Sequence, residues 1–308
     1  MRGLLRQPVL WVTLGAVLVA GTFLVVAANE DEPRPAQGSE ATPAADLGTE
    51  VRRFAAGLDD DAPYRPPGSA ERRRLLSALR ALEAGEPAHA ADEARELGYT
   101  VRTGVDEKTG RPFGLAVNPA DERGWGWYLV DLSAPVRLAI EVPHPGSDLH
   151  TEEIGLALYQ AVPGSVLAVA GTHRRVGDDA GDVAHRTDSM FHAVAGEFAE
   201  RGLPQVQLHG FHDDNLPDAD VVVSPGAGDA GDTVRRVAEG IDDEDFQVCR
   251  SWRRDCGRLE GTTNEQGRDA DRQDTPFVHV EISRSVRDDH DAWSSLVRAM
   301  AESGLGKD

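Results

Sequence analysis

Hydrophobic positions fall into three regimes along this chain. After Arg2 and Arg6, the stretch from Pro8 to Ala28 carries no charge. About 20 apolar residues suffice to cross a bilayer core. Arginines ahead of such a span place the N-terminus in the cytoplasm and residues 29–308 outside. The pattern favours an uncleaved transmembrane anchor; cleavage near Ala27-Ala28, releasing a secreted form, is the alternative. Residues 29–67 lose the rhythm. Rich in Pro, Ala and acidic residues, they bury too little apolar surface to order themselves. They read as a disordered linker, with a short helix over Thr49–Leu58 allowed by Val51, Phe54, Ala55 and Leu58.

From residue 68 onward the pattern is regular. Helical spacing, Ser69 as cap and Gly85 as stop predict a helix over Ala70–Ala84, with Leu75, Leu76, Leu79 and Leu82 inward. Further helices are expected over Ala88–Leu97, Thr151–Ala161, Ser189–Arg201, about Asp232–Gly240 and about Ala292–Ser303. Tyr99–Thr103, Phe113–Val117 and Trp127–Leu132 read as a meander at one sheet edge, with Trp125, Trp127 and Tyr128 as packing residues. Apolar strands are expected at Val136–Val142, Val166–Ala170, Gln205–Leu208, Asp220–Val223 and Phe277–Ile282. Strands alternating with helices predict one α/β domain over 68–308. Its central sheet is mainly parallel or mixed and flanked by helices, with an irregular insertion at 243–275.

Charge changes the picture next. The net charge of −21 excludes a nucleic-acid partner, which calls for a basic face. The two cysteines, Cys249 and Cys256, sit close together in the insertion. Outside a membrane they are expected to pair as a disulfide.

The candidate chemistry lies where strands stop. Val136–Val142 ends at Pro143-His144-Pro145-Gly146, followed by Asp148, His150, Glu152 and Glu153, with Glu141 just before. Other strands end at His173 with Arg174, at His209 with Gly210, and at Glu281 with Arg284. Strand ends on one edge of a parallel sheet converge in space. A catalytic zinc takes about three protein ligands of mixed imidazole and carboxylate type. His144 and His209 suit the nitrogen positions and Asp148 the carboxylate, with Glu153 as the alternative. Glu281 is then left as general base. Arg174, Arg284 and His173 are candidates to hold a substrate carboxylate or other polar group. His279, two residues before Glu281, shares its face.

The segments VPHPGSD, VQLHGF and VHVEISRSVRDD resemble the two histidine-bearing strand ends and the glutamate-bearing strand of the N-formylglutamate amidohydrolase family. That family belongs to the zinc carboxypeptidase-like hydrolases. The resemblance covers roughly residues 136–290 through short motifs. It implies a zinc-exopeptidase-like fold, His144 and His209 as zinc ligands, Glu281 as catalytic carboxylate and Arg284 as a substrate or structural arginine. One departure stands out: H-x-x-E, the usual first ligand pair of a carboxypeptidase-type site, is absent at His144 and occurs instead at His150–Glu153. The expected activity is hydrolysis of an amide or peptide bond in a carboxylate-bearing substrate: an N-acyl amino acid, a γ-glutamyl compound or a cell-wall peptide. A non-catalytic binding module on the same fold and a phosphoesterase are the competing classes.

Overall fold

The computed structural model describes residues 44–118 and 123–306. The expected transmembrane segment at 1–28 lies outside the described residues. Among the described residues no helix is long and apolar enough to cross a membrane.

The strands are β1 (Ala44–Ala45), β2 (Thr100–Asp106), β3 (Pro112–Val117), β4 (Trp127–Asp131), β5 (Leu138–Val142), β6 (Ser165–Val169), β7 (Gln205–Phe211), β8 (Val221–Ser224), β9 (Val248–Arg250) and β10 (Phe277–Ser283). They form a single sheet in the order β1-β2-β3-β4-β6-β5-β7-β10-β8-β9. Its centre, β6-β5-β7-β10, is parallel. The meander β2-β3-β4 joins it antiparallel through β4. On the other side β8 runs antiparallel to β10. The sheet is therefore mixed.

Helices cover both faces. They are α1 (Leu47–Ala56), α2 (Ser69–Glu83), α3 (Pro87–Arg95), α4 (Thr151–Ala161), the single turn α5 (Val176–Asp179), α6 (Met190–Glu200), α7 (Asp232–Asp242), α8 (Glu265–Arg272), α9 (Arg284–Asp288) and α10 (His290–Glu302). On one face Ile140, Val142, Leu167, Leu208 and Val280 pack against α1, α4, α7 and α10 through Leu47, Ile154, Val237 and Leu296. On the other, Tyr128, Val130, Ala139 and Val166 meet α2, α3 and α6 through Leu79, Ala90 and Phe191. Period-two alternation sorts each strand's side chains between these two layers. Trp125, Trp127 and Tyr128 are buried packing residues.

Two expectations need correction. The folded unit begins earlier than residue 68, because β1 pairs with β2 and α1 buries Leu47, Val51 and Ala55. Its neighbours, Pro-rich and acidic, dilute a helix whose own apolar face is intact, and Asp46 caps it by accepting from the Thr49 amide. The insertion 243–275 also has structure: β9, a short 3-10 turn at Gly257–Glu260, and α8, capped by Asn264. Helix α8 reads EQGRDADR, so its polarity hides it from a hydrophobic pattern.

Backbone contact fixes the strand-end loop after β6. A Cβ at Gly171 would stand 2.1 Å from the Gly126 nitrogen and 2.7 Å from the Gly124 carbonyl carbon. Backbone atoms cannot swing aside, so Gly171→Ala is expected to destabilise the protein by about 2–4 kcal/mol, within the range for overpacking and local strain. Denaturant unfolding measures this directly.

Candidate metal centre

The loop after β5 folds back on itself. The amides of Ser147 and Asp148 both donate to the His144 carbonyl, at 3.1 and 2.9 Å, and Gly146 takes the left-handed φ of 77° that this turn requires. Spacing four therefore brings Asp148 over its own strand end. His144 Nδ1 lies 3.2 Å from Asp148 Oδ2. From the neighbouring strand β7, His209 Nδ1 approaches the same oxygen at 3.6 Å. All three side chains are buried, at 2 % exposure for His144, 6 % for Asp148 and 4 % for His209.

The far nitrogen of each imidazole is already engaged. His144 Nε2 meets Asp182 Oδ1 at 2.8 Å, and His209 Nε2 meets Gln207 Oε1 at 2.7 Å. Acceptors there hold the Nε2 protons, so the Nδ1 atoms that face Asp148 are the ones left to ligate an ion, His144 by giving up the proton it shares with Asp148. Donor atoms of this trio lie within 4.8 Å of one another. Three ligands about 2.0–2.2 Å from a tetrahedral zinc stand roughly 3.2–3.6 Å apart. The N₂O donor set, its spacing and its engaged outer nitrogens fit that ion.

Electrostatics follow from burial and pairing. Burial pulls His144 down, but its hydrogen bonds to Asp148 and Asp182 outweigh this and leave it above its ordinary value. Burial raises Asp148, yet the hydrogen bond with His144 and the His209 imidazole close beside it hold it far below the usual carboxylate range. Asp182 behaves likewise and is lowered to about 2. His209, for which burial dominates, is lowered to about 4 and is neutral at pH 7.

Beside this trio stand His279 and Glu281 on β10. The His279 ring lies 4.5 Å from that of His209. Glu281 is the register partner of His209 across the β7–β10 ladder, and donor atoms of His209, His279 and Glu281 lie within 4.8 Å of one another. Glu281 Oε2 and His279 Nδ1 are buried without a partner. Burial, with the Asp148 charge adding to it, pushes Glu281 up to about 8. An enclosed carboxyl with an unused oxygen is suited to exchange a proton.

A cavity of about 750 Å³ opens above these groups, lined by His144, Asp148, His209, His279 and Glu281 below. Its far wall is the insertion, which contributes Asp255, Arg258 and Gly261 to Asn264. Cys249 and Cys256 form a disulfide in that segment. Replacing both by Ser is expected to cost about 2–3 kcal/mol, as for a loop this short. The three candidate ligands lie elsewhere, so zinc content should not change. Chemical unfolding and metal analysis of the double variant check both halves.

Not every candidate reaches this place. Arg174 lines the cavity and pairs with Asp182 at 3.0 Å. His173 lies outside the lining, its Nδ1 accepting from the Arg175 amide at 3.3 Å. Glu153 points away to Arg52 and His150, at 3.1 Å from each. Arg284 pairs with Asp288 at 2.6 Å on the surface. The arginine that serves the site region is Arg287, 4 % exposed, which donates to the carbonyls of Ile282, Leu149 and Phe211. It ties the ends of β7 and β10 to the Asp148 loop. Asp182, Gln207, Asn264, Arg258 and Arg287 escaped the sequence reading. For Gln207 a signal existed: in QVQLHGF it alternates with His209 and so shares its face.

No protein-family model and no curated protein matches the chain. The motif resemblance to the N-formylglutamate amidohydrolase family thus remains one of short motifs. Among solved structures, a bacteriophage poly-gamma-glutamate hydrolase is similar at 14% identity, over 54% of this chain and 82% of that one, with a TM-score of 0.38. A metallo-carboxypeptidase from Pseudomonas aeruginosa is similar at 13%, over 78% and 68%, with a TM-score of 0.38. A Legionella pneumophila aminopeptidase is similar at 15%, over 85% and 71%, with a TM-score of 0.39. At that level of likeness no residue of this chain takes a role from them.

Proposed function

We propose that this chain is a zinc-dependent hydrolase of an amide or peptide bond in a carboxylate-bearing substrate. The observation that carries the reading is the convergence of His144 Nδ1, His209 Nδ1 and Asp148 beside the unpartnered Glu281 oxygen, on the wall of an open cavity. His144, Asp148 and His209 would hold the ion, which when bound supplies Lewis acidity toward the scissile carbonyl and acidity to a nearby water. Glu281 takes the proton of the attacking water and returns it to the leaving nitrogen. Arg174 and Arg258 give the cavity cationic groups for a substrate carboxylate, such as that of an N-acyl amino acid, a γ-glutamyl compound or a cell-wall peptide.

The test starts from protein purified without chelator. Zinc near one per chain, with chelator-sensitive hydrolysis of N-acyl amino acids, γ-glutamyl peptides or cell-wall peptides, supports the reading. Chains that hold no divalent metal make the protein a binding module, and turnover confined to phosphoesters makes it a phosphoesterase.

The uncharged stretch at Pro8–Ala28 and the cysteine pair support a second part of this proposal: the domain is tethered to the outer face of a membrane. Full-length protein is then expected to stay with membranes through a carbonate wash and to be shed by external protease. A soluble form beginning near Ala28 or Asn29 would mean a cleaved secretory segment instead.

A further inference from the structure

A polar row runs back from the candidate metal centre into the sheet, and its inner members, Glu141, Gln205 and Gln207, have no part in the proposed chemistry. Glu141, Gln205, Gln207, His209, His279 and Glu281 all point to the same face of the sheet, across β5, β7 and β10. Glu141 and Gln207 are register partners on adjacent strands, and both are fully enclosed. Gln207 Nε2 donates to Glu141 Oε2 at 2.8 Å and to Gln266 Oε1 at 3.3 Å. With the Gln205 amide turned to satisfy its neighbours, its nitrogen donates to Glu141 Oε1 at 2.7 Å, and its oxygen accepts from the Ala199 amide at 3.2 Å. On the other side, Gln207 Oε1 accepts from Asn264 Nδ2 and faces His209 Nε2 at 2.7 Å.

Orientation then passes along the row by elimination. Gln266 Oε1, whose own amide nitrogen donates to the Val183 carbonyl, only accepts, so the nitrogen end of the Gln207 amide faces it and Glu141. Asn264 offers a donor and so takes the oxygen end. That oxygen also only accepts, and it lies 2.7 Å from His209 Nε2 whereas Asp148 Oδ2 stands 3.6 Å from Nδ1, so the proton of neutral His209 sits on Nε2 and Nδ1 keeps its lone pair. A buried carboxyl is costly unless its oxygens are hydrogen-bonded, and here both are. Burial pushes Glu141 up to about 8 against the downward pull of its hydrogen bond from Gln207.

We propose that Gln207 is a positioning residue, clamped by Glu141 and Asn264, that fixes the tautomer of His209 and so keeps Nδ1 open for the metal. The metal half of this rests on the zinc reading above; the tautomer half stands without it. Asn264 closes the wall segment of the cavity, so the same amide also ties that wall to the ligand-bearing strand.

Two measurements on each protein test this: the ring-nitrogen ¹⁵N shifts of His209 in zinc-free protein, and zinc affinity by competition with a chromophoric chelator. Wild type is expected to carry its proton on Nε2. Gln207→Met keeps length but removes the acceptor. It should yield a mixture of tautomers and bind zinc roughly 10–100-fold more weakly, the usual effect of losing an outer partner of a ligating histidine. The exchange Glu141→Gln with Gln207→Glu keeps one carboxyl, one amide and an acceptor toward His209. It should restore the Nε2 tautomer and bring affinity to within about threefold of wild type, as expected when the outer partner is retained. Folded Gln207→Met with wild-type tautomer and affinity overturns the proposal. So does a folded exchange variant that remains as weak as Gln207→Met. If Gln207→Met does not fold, the exchange variant decides alone: Nδ1 protonation or a loss above tenfold overturns the proposal. Wild type that takes up no zinc yet shows the expected tautomers would defeat the zinc reading and leave the positioning role standing.

Discussion

Glu281→Gln is expected to keep its zinc and its fold and to lose turnover by about 10²–10⁴-fold, the usual contribution of a positioned acid–base group. The amide matches the carboxyl in shape but cannot accept the proton of the attacking water. The adjacent His279 does not replace it, because that imidazole is lowered well below its ordinary value by burial and by the neighbouring imidazoles. The same substitution has a readable effect on stability. Glu281 is raised to about 8 in the fold, against 4.5 in the open chain, so the metal-free protein holds a proton that the unfolded chain releases across that window. Stability should therefore fall as pH rises from about 4.5 to about 8, by a few kcal/mol in all. Glu141 contributes a slope of the same sign. Glu281→Gln removes its own share, so its unfolding midpoint should vary less with pH than that of wild type. Full activity in Glu281→Gln would end its role as base.

Loss of metal is the second large effect. His144→Ala or His209→Ala leaves one imidazole and one carboxylate, and two protein ligands seldom retain zinc against a chelator. Each variant is expected to lose stoichiometric zinc in dialysis. Asp148→Asn should weaken binding strongly. Glu153→Gln should not, because Glu153 pairs with Arg52 and His150 instead of facing the trio. Acid should act like the substitutions. His144 titrates above its ordinary value, and below that point a proton competes with the ion for its nitrogen. Affinity measured by competition should therefore rise with pH through the neutral range. Zinc retained by both alanine variants would place the metal elsewhere.

Most of the architecture could be read from periodicity, because long amphipathic helices and apolar strands announce themselves. Elements without an apolar rhythm were missed. Helix α8 is held by the Asn264 cap and by Gln266, which donates to the Val183 carbonyl. Helix α1 was legible as a short helix over Thr49–Leu58 from its own apolar face, but its Pro-rich, acidic neighbours hid that it belongs to the folded unit. Strand-end histidines were legible because a turn cluster followed each apolar run. What links them was not. Asp182 reaches His144 from a loop thirty-eight residues away. Arg287, set beside the more conspicuous Arg284 in SRSVRDD, is distinguished by three carbonyls from separate segments and by the close approach of Gly210, where a Cβ would stand 2.4 Å from its guanidinium carbon. One-dimensional patterns report which face a residue takes, not which distant loop will cross it.

The pairing of β5, β7 and β10 has a practical consequence for preparing the protein. Two candidate ligands come from β7 and the end of β5, whereas Glu281 rides on β10 opposite His209. A one-residue slip of a strand sends every side chain to the opposite face. Molecules with β10 misaligned would carry Val280 or Ile282 where the base belongs. Zinc per chain and turnover per zinc thus grade a refolded batch independently, the first for the β5–β7 seam and the second for the β7–β10 seam.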